Sequence, residues 1–300
     1  MPSVTARLIR RAVRRMLKPT PLDDRFVASM RRRVNGAPAI TLVNRRVIRR
    51  PIKPGELGTT EGEWVGVPGA RRHVLYLHGG YYIAGRPKTY RNLAGRLADQ
   101  LDANVALIEY RLAPEHPYPA AVDDGVGAYR ALLDAGIDPA TIAIAGDSAG
   151  GGLALAVLLR AKADAVPIPA AAVVFSPWTD LTCSNPSVDN NDAADDMLSA
   201  GALRRASTCY AGSHDRTDPE LSPVFGDVAG LPPLFVTVDS SETLLDDSLR
   251  LVARVLEAGG RAELRQSTGL LHVWPMLVPY LPEARSTVAE VIAFLDAELA

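Results

Sequence analysis

Ser148 stands in Gly146-Asp147-Ser148-Ala149-Gly150, between the apolar run Ile142 to Ala145 and a helical segment. A serine at so tight a strand-to-helix turn takes strained backbone angles and presents its hydroxyl at the strand end. Side chains at the flanking positions two away would collide with the neighbouring strand and helix, so glycine is needed there. The pattern predicts a nucleophile elbow; the competing reading, a helix merely capped by a serine, does not explain both glycines. A serine hydroxyl is a poor nucleophile near neutral pH and needs a base within hydrogen-bond reach. In the chain order nucleophile, acid, histidine, only His272 of the five histidines follows Ser148 with a strand behind it.

The acid that orients the imidazole is expected after the run Leu234 to Val238, where Asp239, Glu242, Asp246 and Asp247 compete. Asp239 ends the strand, Glu242 lies in the turn, and Asp246 and Asp247 open a helix whose N-terminus they suit; Glu242 is favoured. An oxyanion needs backbone donors from a glycine-rich loop and from the residue after the nucleophile. His78-Gly79-Gly80 follows the run Val74 to Leu77, so the expected donors are Gly79, Gly80 and Ala149. The glycines have neither the G-x-G-x-x-G order of a dinucleotide site nor a following Lys-Ser/Thr.

The elements that must carry these residues are legible as alternation. Short apolar runs at Val74 to Leu77, Val105 to Tyr110, Ile142 to Ala145, Ala171 to Phe175, Leu234 to Val238 and Ala262 to Gln266 predict buried parallel strands. Between them Asn92 to Leu101, Val122 to Leu133, Leu153 to Ala163, Ser248 to Ala258 and Ala284 to Leu299 predict helices, hence an α/β fold with a doubly wound sheet and helices on both faces. Two extended segments precede these between Thr41 and Val67. Residues 1–40 read as helices broken by Lys18-Pro19-Thr20-Pro21 and Asn35-Gly36-Ala37-Pro38, an appendage to the core at 41–300. A polar interval from Leu181 to Leu231, holding helical Leu198 to Tyr210, is an insertion over the strand ends, where open sheets place their sites.

The net charge of −1 hides an asymmetry: residues 1–50 hold 14 Lys/Arg against only Asp23 and Asp24. Arg7, Arg10, Arg11, Arg14, Arg15 and Lys18 interleave with Val4, Leu8, Val13 and Leu17 at helical spacing. Such a helix could suit an anionic membrane surface or nucleic acid, but a face packed on its own protein is the favoured reading. Asp189, Asp192, Asp195 and Asp196 offer it an internal partner. Cys183 and Cys209 lack metal-ligand spacing and are expected to be reduced thiols. No uninterrupted apolar stretch is long enough to span a bilayer and the Arg-rich start lacks a secretory apolar run, so a cytoplasmic protein is expected.

Six motifs taken in order resemble the hormone-sensitive-lipase-like branch of the α/β-hydrolase esterases, also called bacterial family IV. They are Tyr76-Leu77-His78-Gly79-Gly80, Tyr110-Arg111-Leu112-Ala113-Pro114-Glu115, Gly146-Asp147-Ser148-Ala149-Gly150-Gly151, Ser176-Pro177-Trp178, Asp218-Pro219 with Ser222-Pro223, and His272-Val273-Trp274-Pro275. The resemblance runs from about Val74 through most of the chain. It implies an α/β-hydrolase fold with a helical cap made of residues 1–40 and an insertion at about 182–220. It also implies hydrolysis of short- to medium-chain esters without metal or organic cofactor, and Glu242 at the acid position. One departure is Tyr81, which occupies the place of the family's third oxyanion-loop glycine and is expected to narrow the pocket or reorient the loop.

The expectation is therefore a serine carboxylesterase acting through an acyl-enzyme on a small-molecule ester, with Ser148, Glu242 and His272 catalytic. Tyr81, Tyr82 and Tyr210 are the expected substrate-pocket residues, nucleic acid is not an expected partner, and a homodimer is possible because relatives form one. A lactone hydrolase of the same mechanism is the alternative, as is a non-catalytic ligand receptor on this scaffold; retention of all three catalytic residues argues against the receptor. If residues 1–40 and the insertion both belong to the cap, the basic first helix is expected beside Asp189 to Asp196.

Overall fold

The computed structural model describes residues 2–18, 23–36 and 45–300. The expected breaks around Pro19-Thr20-Pro21 and Ala37-Pro38, and the start of the extended region at Thr41, lie outside the described residues. Eight strands form one sheet: β1 (Ile48–Pro51), β2 (Glu61–Gly66), β3 (Arg72–Leu77), β4 (Ala103–Glu109), β5 (Ile142–Asp147), β6 (Ala171–Phe175), β7 (Leu234–Asp239) and β8 (Ala262–Ser267). Their order is β1-β2-β4-β3-β5-β6-β7-β8. Strands β1, β2 and β4 pair antiparallel in succession, and every pair from β4 to β8 is parallel. All six expected parallel strands are present, and the two expected extended segments form the antiparallel edge.

Side chains alternate between two cores, as the two-residue period of a strand requires. Leu75 and Leu77 of β3 enter one core with Ile144 of β5, while Val74 and Tyr76 enter the other with Ala145. The first core is closed by α4 (Ala120–Asp134), α5 (Ala149–Ala163) and α8 (Leu245–Glu257), and the second by α3 (Arg91–Leu101) and α9 (Pro282–Glu298). Helix α5 is buried almost all round, unlike the amphipathic α8, because it lies directly behind the elbow. The edge strands differ in kind: β1 is fully exposed and carries Arg49, Arg50 and Pro51, residues that discourage further pairing.

Two helices precede the sheet, α1 (Val4–Leu17) and α2 (Phe26–Asn35), and the insertion contributes α6 (Pro186–Asn190) and α7 (Ala200–Ala211). Helix α1 is capped by Ser3, whose Oγ accepts from Ala6 N at 3.1 Å while its own N–H donates to Glu283 of α9 at 2.6 Å. Its basic side chains meet the acidic stretch, as the charge pattern predicts. Arg10 Nε lies 2.5 Å from Asp196 Oδ2 and Arg14 Nη1 lies 3.1 Å from Asp196 Oδ1. Lys18 Nζ donates to the carbonyls of Asp192, Asp195 and Leu198. Among the described residues, no helix is long and apolar enough to cross a membrane. Cys183 is buried, Cys209 half-buried, and both are free thiols.

Candidate active site

Ser148 links β5 to α5 with φ 53° and ψ −122°. That conformation disfavours a side chain, and the surroundings hold it in place. Ser148 N–H donates to Phe175 O of β6 at 2.8 Å, and its carbonyl accepts from Trp178 N at 2.9 Å and from Gly151 and Gly152 N. A Cβ on Gly146 would stand 2.2 Å from Gly150 O, and one on Gly150 would stand 2.1 Å from Leu77 O, so neither position has room for a side chain.

His272 lies in the loop after β8, buried, with Nδ1 2.5 Å from Glu242 Oε2. Glu242 is the carboxylate of the four candidates that reaches the imidazole, and each competitor is engaged elsewhere. Asp239 accepts from Ser241 N and Oγ, from Ser267 Oγ at 2.7 Å, and from Gly269 and Leu270 N, which ties the end of β7 to the histidine loop. Asp246 accepts from Ser187 N, and Asp247 from Thr179 and Asp180 N. Glu242 Oε1 in turn accepts from Asp239 N at 2.7 Å and Ser176 Oγ at 2.9 Å, leaving its other oxygen to the imidazole. Burial alone would lower the His272 pKa, but the adjoining Glu242 carboxylate outweighs it and the net shift is upward. His272 Nε2 is buried and has no partner among the described residues.

The oxyanion loop corrects one expectation. Gly79 N–H points inward, to Asp147 Oδ1 and Tyr90 Oη, each at 2.9 Å, so it is not a free donor. The N–H groups of Gly80, Tyr81 and Ala149 donate to no acceptor among the described residues. Asp147 is buried beneath the loop, also accepts from Tyr76 and Tyr90 Oη, and is pushed up to about 6 by burial. His78 is pulled down to about 4 by burial and stacks on Tyr110 with centroids 4.3 Å apart, a neutral packing residue.

Ser148, His272, Gly79, Gly80 and Tyr81 line one cavity of about 210 Å³, roofed by Val13 and Leu17 of α1, Val34 of α2, and Met197 and Leu198 of the insertion. Tyr82 and Tyr210 do not line it, contrary to expectation; they stack on each other at 3.8 Å, nearly parallel, behind the loop. A larger open cleft of about 1180 Å³ over β1 and β2 holds none of the expected site residues. Sequence reasoning named Asp239 only as a competing acid, Asp147 only within the elbow motif and Asp195 only as a partner of the basic helix, and assigned none of them, nor Ser176, its supporting role in the site. Asp195 joins the roof to the acid loop, accepting from Thr243 N and from Met197 and Leu198 N, each at 2.9 Å. Ser176 and Asp147 were visible only as parts of motifs, Asp239 as an acid at a strand end, and Asp195 as one of an acidic run in the insertion.

A buried histidine held by a carboxylate, in one cavity with an elbow serine and free backbone donors, is the equipment of an acyl-transfer site. Comparison with known proteins agrees. A protein family described as the alpha/beta hydrolase fold matches residues 74–276. An acetyl-hydrolase of Streptomyces hygroscopicus is 41% identical over 249 residues, covering 81% of this chain and 83% of that protein. An esterase of Acinetobacter venetianus is 37% identical, with 81% of each chain covered. Among solved structures, an esterase from the bacterial hormone-sensitive lipase family superposes with a TM-score of 0.89 at 34% identity, covering 100% of both chains. The fold and site thus define a carboxylic ester hydrolase. The chain belongs to the alpha/beta hydrolase family, in its hormone-sensitive-lipase branch.

Proposed function

We propose that the chain hydrolyses short- to medium-chain carboxylic esters through an acyl-enzyme on Ser148. His272 Nε2 takes the Ser148 Oγ proton as the oxygen attacks the ester carbonyl, and the resulting imidazolium is stabilised by Glu242. The oxyanion of the tetrahedral intermediate accepts from the free N–H groups of Gly80, Tyr81 and Ala149. Collapse expels the alcohol, which receives the proton from His272, and a water activated by the same imidazole then releases the acid. Helices α1 and α2 and the insertion at about 182–220 act as the cap that encloses the acyl group.

The observation that carries the reading is the state of His272: Nδ1 is fixed by Glu242, while Nε2 is buried and unpartnered in the cavity that holds Ser148. A base with one nitrogen anchored and the other free is poised for a substrate-linked proton. The acetyl-hydrolase name of the Streptomyces relative supports the short-chain end of the range. Hydrolysis of p-nitrophenyl esters from acetate to palmitate, by wild type and Ser148→Ala, tests it. Activity centred on short chains and lost in the variant supports the reading; a wild type inert on the whole series sinks it.

A further inference from the structure

Tyr81 and Tyr82 both have φ 61°, in the left-handed region that favours glycine, yet both carry large rings. The turn that forces this is closed by Ile83 and Ala84 N donating to Gly80 O at 3.1 and 2.9 Å. From this shared conformation the two rings take different places. Tyr82 stacks on Tyr210, away from the nucleophile, whereas Tyr81 lines the cavity with Ser148 and His272.

The Tyr81 ring is buried and has a rigid backstop. It meets Trp178 edge-on, with centroids 6.3 Å apart and planes at 77°. Trp178 is itself fully buried; its backbone N–H donates to the Ser148 carbonyl at 2.9 Å and its indole N–H to Asp180 O at 3.1 Å. The ring therefore cannot retreat without disturbing the backbone of the nucleophile. The cavity that remains, about 210 Å³, lies below the roughly 300 Å³ at which pockets for drug-sized ligands begin.

We infer that the Tyr81 ring is the stop that sets the depth of the catalytic cavity and confines the enzyme to esters whose enclosed chain is only a few carbons long. A strained conformation persists where the surrounding structure over-determines it, and such positions cluster at functional sites. A glycine here would fit the same turn without strain and leave the ring's volume to a longer chain. The inference rests on the ester-hydrolase reading and assigns its specificity to one side chain.

The test compares kcat/KM in two substrate series, p-nitrophenyl acyl esters and alkyl acetates, each from two to eight carbons. Wild type is measured beside Tyr81→Gly, Tyr81→Asn and Tyr81→Phe, with thermal melts to verify folding. Asparagine tolerates the left-handed region, so it supplies a second truncation should the glycine variant fold poorly. In at least one series the ratio of the eight-carbon to the two-carbon substrate is expected to rise about tenfold or more in both truncations, a change of the size that methylene discrimination in an apolar pocket supports. Tyr81→Phe, which keeps the ring, is expected to hold the wild-type ratio. An unchanged ratio in the truncations overturns the inference, as does a Phe variant that behaves like the truncated ones. An inert wild type instead removes the ester-hydrolase reading, so the two failures are told apart.

Discussion

Gly79 and Asp147 are joined by a 2.9 Å hydrogen bond from the glycine N–H to the carboxylate, so the residue before the nucleophile holds the loop that faces it. A Cβ on Gly79 would stand 2.3 Å from the same carboxylate, which is why glycine is required there although its N–H does not face the substrate. The elbow and the oxyanion loop are thereby one unit, and disturbing Asp147 is expected to act on both.

Burial pushes the Asp147 carboxyl up to about 6, so the folded chain holds this proton at pH values where the unfolded chain has released it. Folded-state proton binding exceeds unfolded binding between roughly pH 4 and 6, and this residue's contribution therefore falls as pH rises through that window. Relative to wild type, Asp147→Asn is expected to gain about 2 kcal/mol between pH 4.5 and 7.5. Urea unfolding of both proteins at the two pH values reads the difference directly; a constant difference would contradict the buried charge.

His272 must be neutral to accept the serine proton, so activity is present above its pKa and lost as pH falls through it. Because Glu242 raises that pKa, the acid limb of kcat/KM is expected to have its midpoint above the ordinary histidine value of about 6.5. In Glu242→Gln the midpoint should move down and kcat/KM should drop by about 10²- to 10⁴-fold. A pH profile with an unmoved midpoint would mean that the carboxylate does not act on this imidazole.

Asp239 lost the competition for the imidazole yet supports it from behind by gathering donors from Ser241, Ser267, Gly269 and Leu270. Asp239→Ala leaves several of these buried or half-buried groups unpaired. The expected cost is about 2–4 kcal/mol of stability, with kcat lowered because the histidine loop loses its anchor. Equilibrium unfolding together with steady-state kinetics checks this; a variant as stable as wild type would show the clamp to be dispensable.

Arg10 and Arg14 share Asp196, and the helix that carries them supplies Val13 and Leu17 to the cavity roof. Asp196→Ala frees Arg10 from the insertion and leaves Arg14 bonded there to the Ala193 carbonyl. Partly exposed ion pairs contribute about 1 kcal/mol or less each, so global stability should change little while the roof loosens. The expected signature is a raised KM with a smaller change in kcat; equal losses in both would place the effect on the chemistry instead.

The elbow, the six parallel strands and the reach of Glu242 to His272 were legible because each depends on local pattern and chain order. Gly146 is dictated by its contact with Gly150 O within the turn, whereas Gly150 is dictated by Leu77 O and His78 O of the adjoining strand and loop. Gly79 was misread because its identity does not reveal which way its N–H faces; that depends on Asp147, 68 residues away in the chain. Tyr82 and Tyr210 were misread for the same reason, since their stacking arises from a loop and a helix more than a hundred residues apart. Ser176 and Asp239 have unremarkable types, and only the folded arrangement shows that one donates to Glu242 and the other clamps the histidine loop.

The central claim is that Ser148 is the nucleophile and His272 the base that activates it. Incubation with a p-nitrophenyl alkylphosphonate, which phosphonylates an activated serine and cannot complete turnover, followed by peptide mass mapping, tests this most directly. The account predicts one label, on the peptide containing Ser148, formed in step with loss of esterase activity and greatly slowed in His272→Ala. A label on another residue, or full inactivation with Ser148 unmodified, would contradict it.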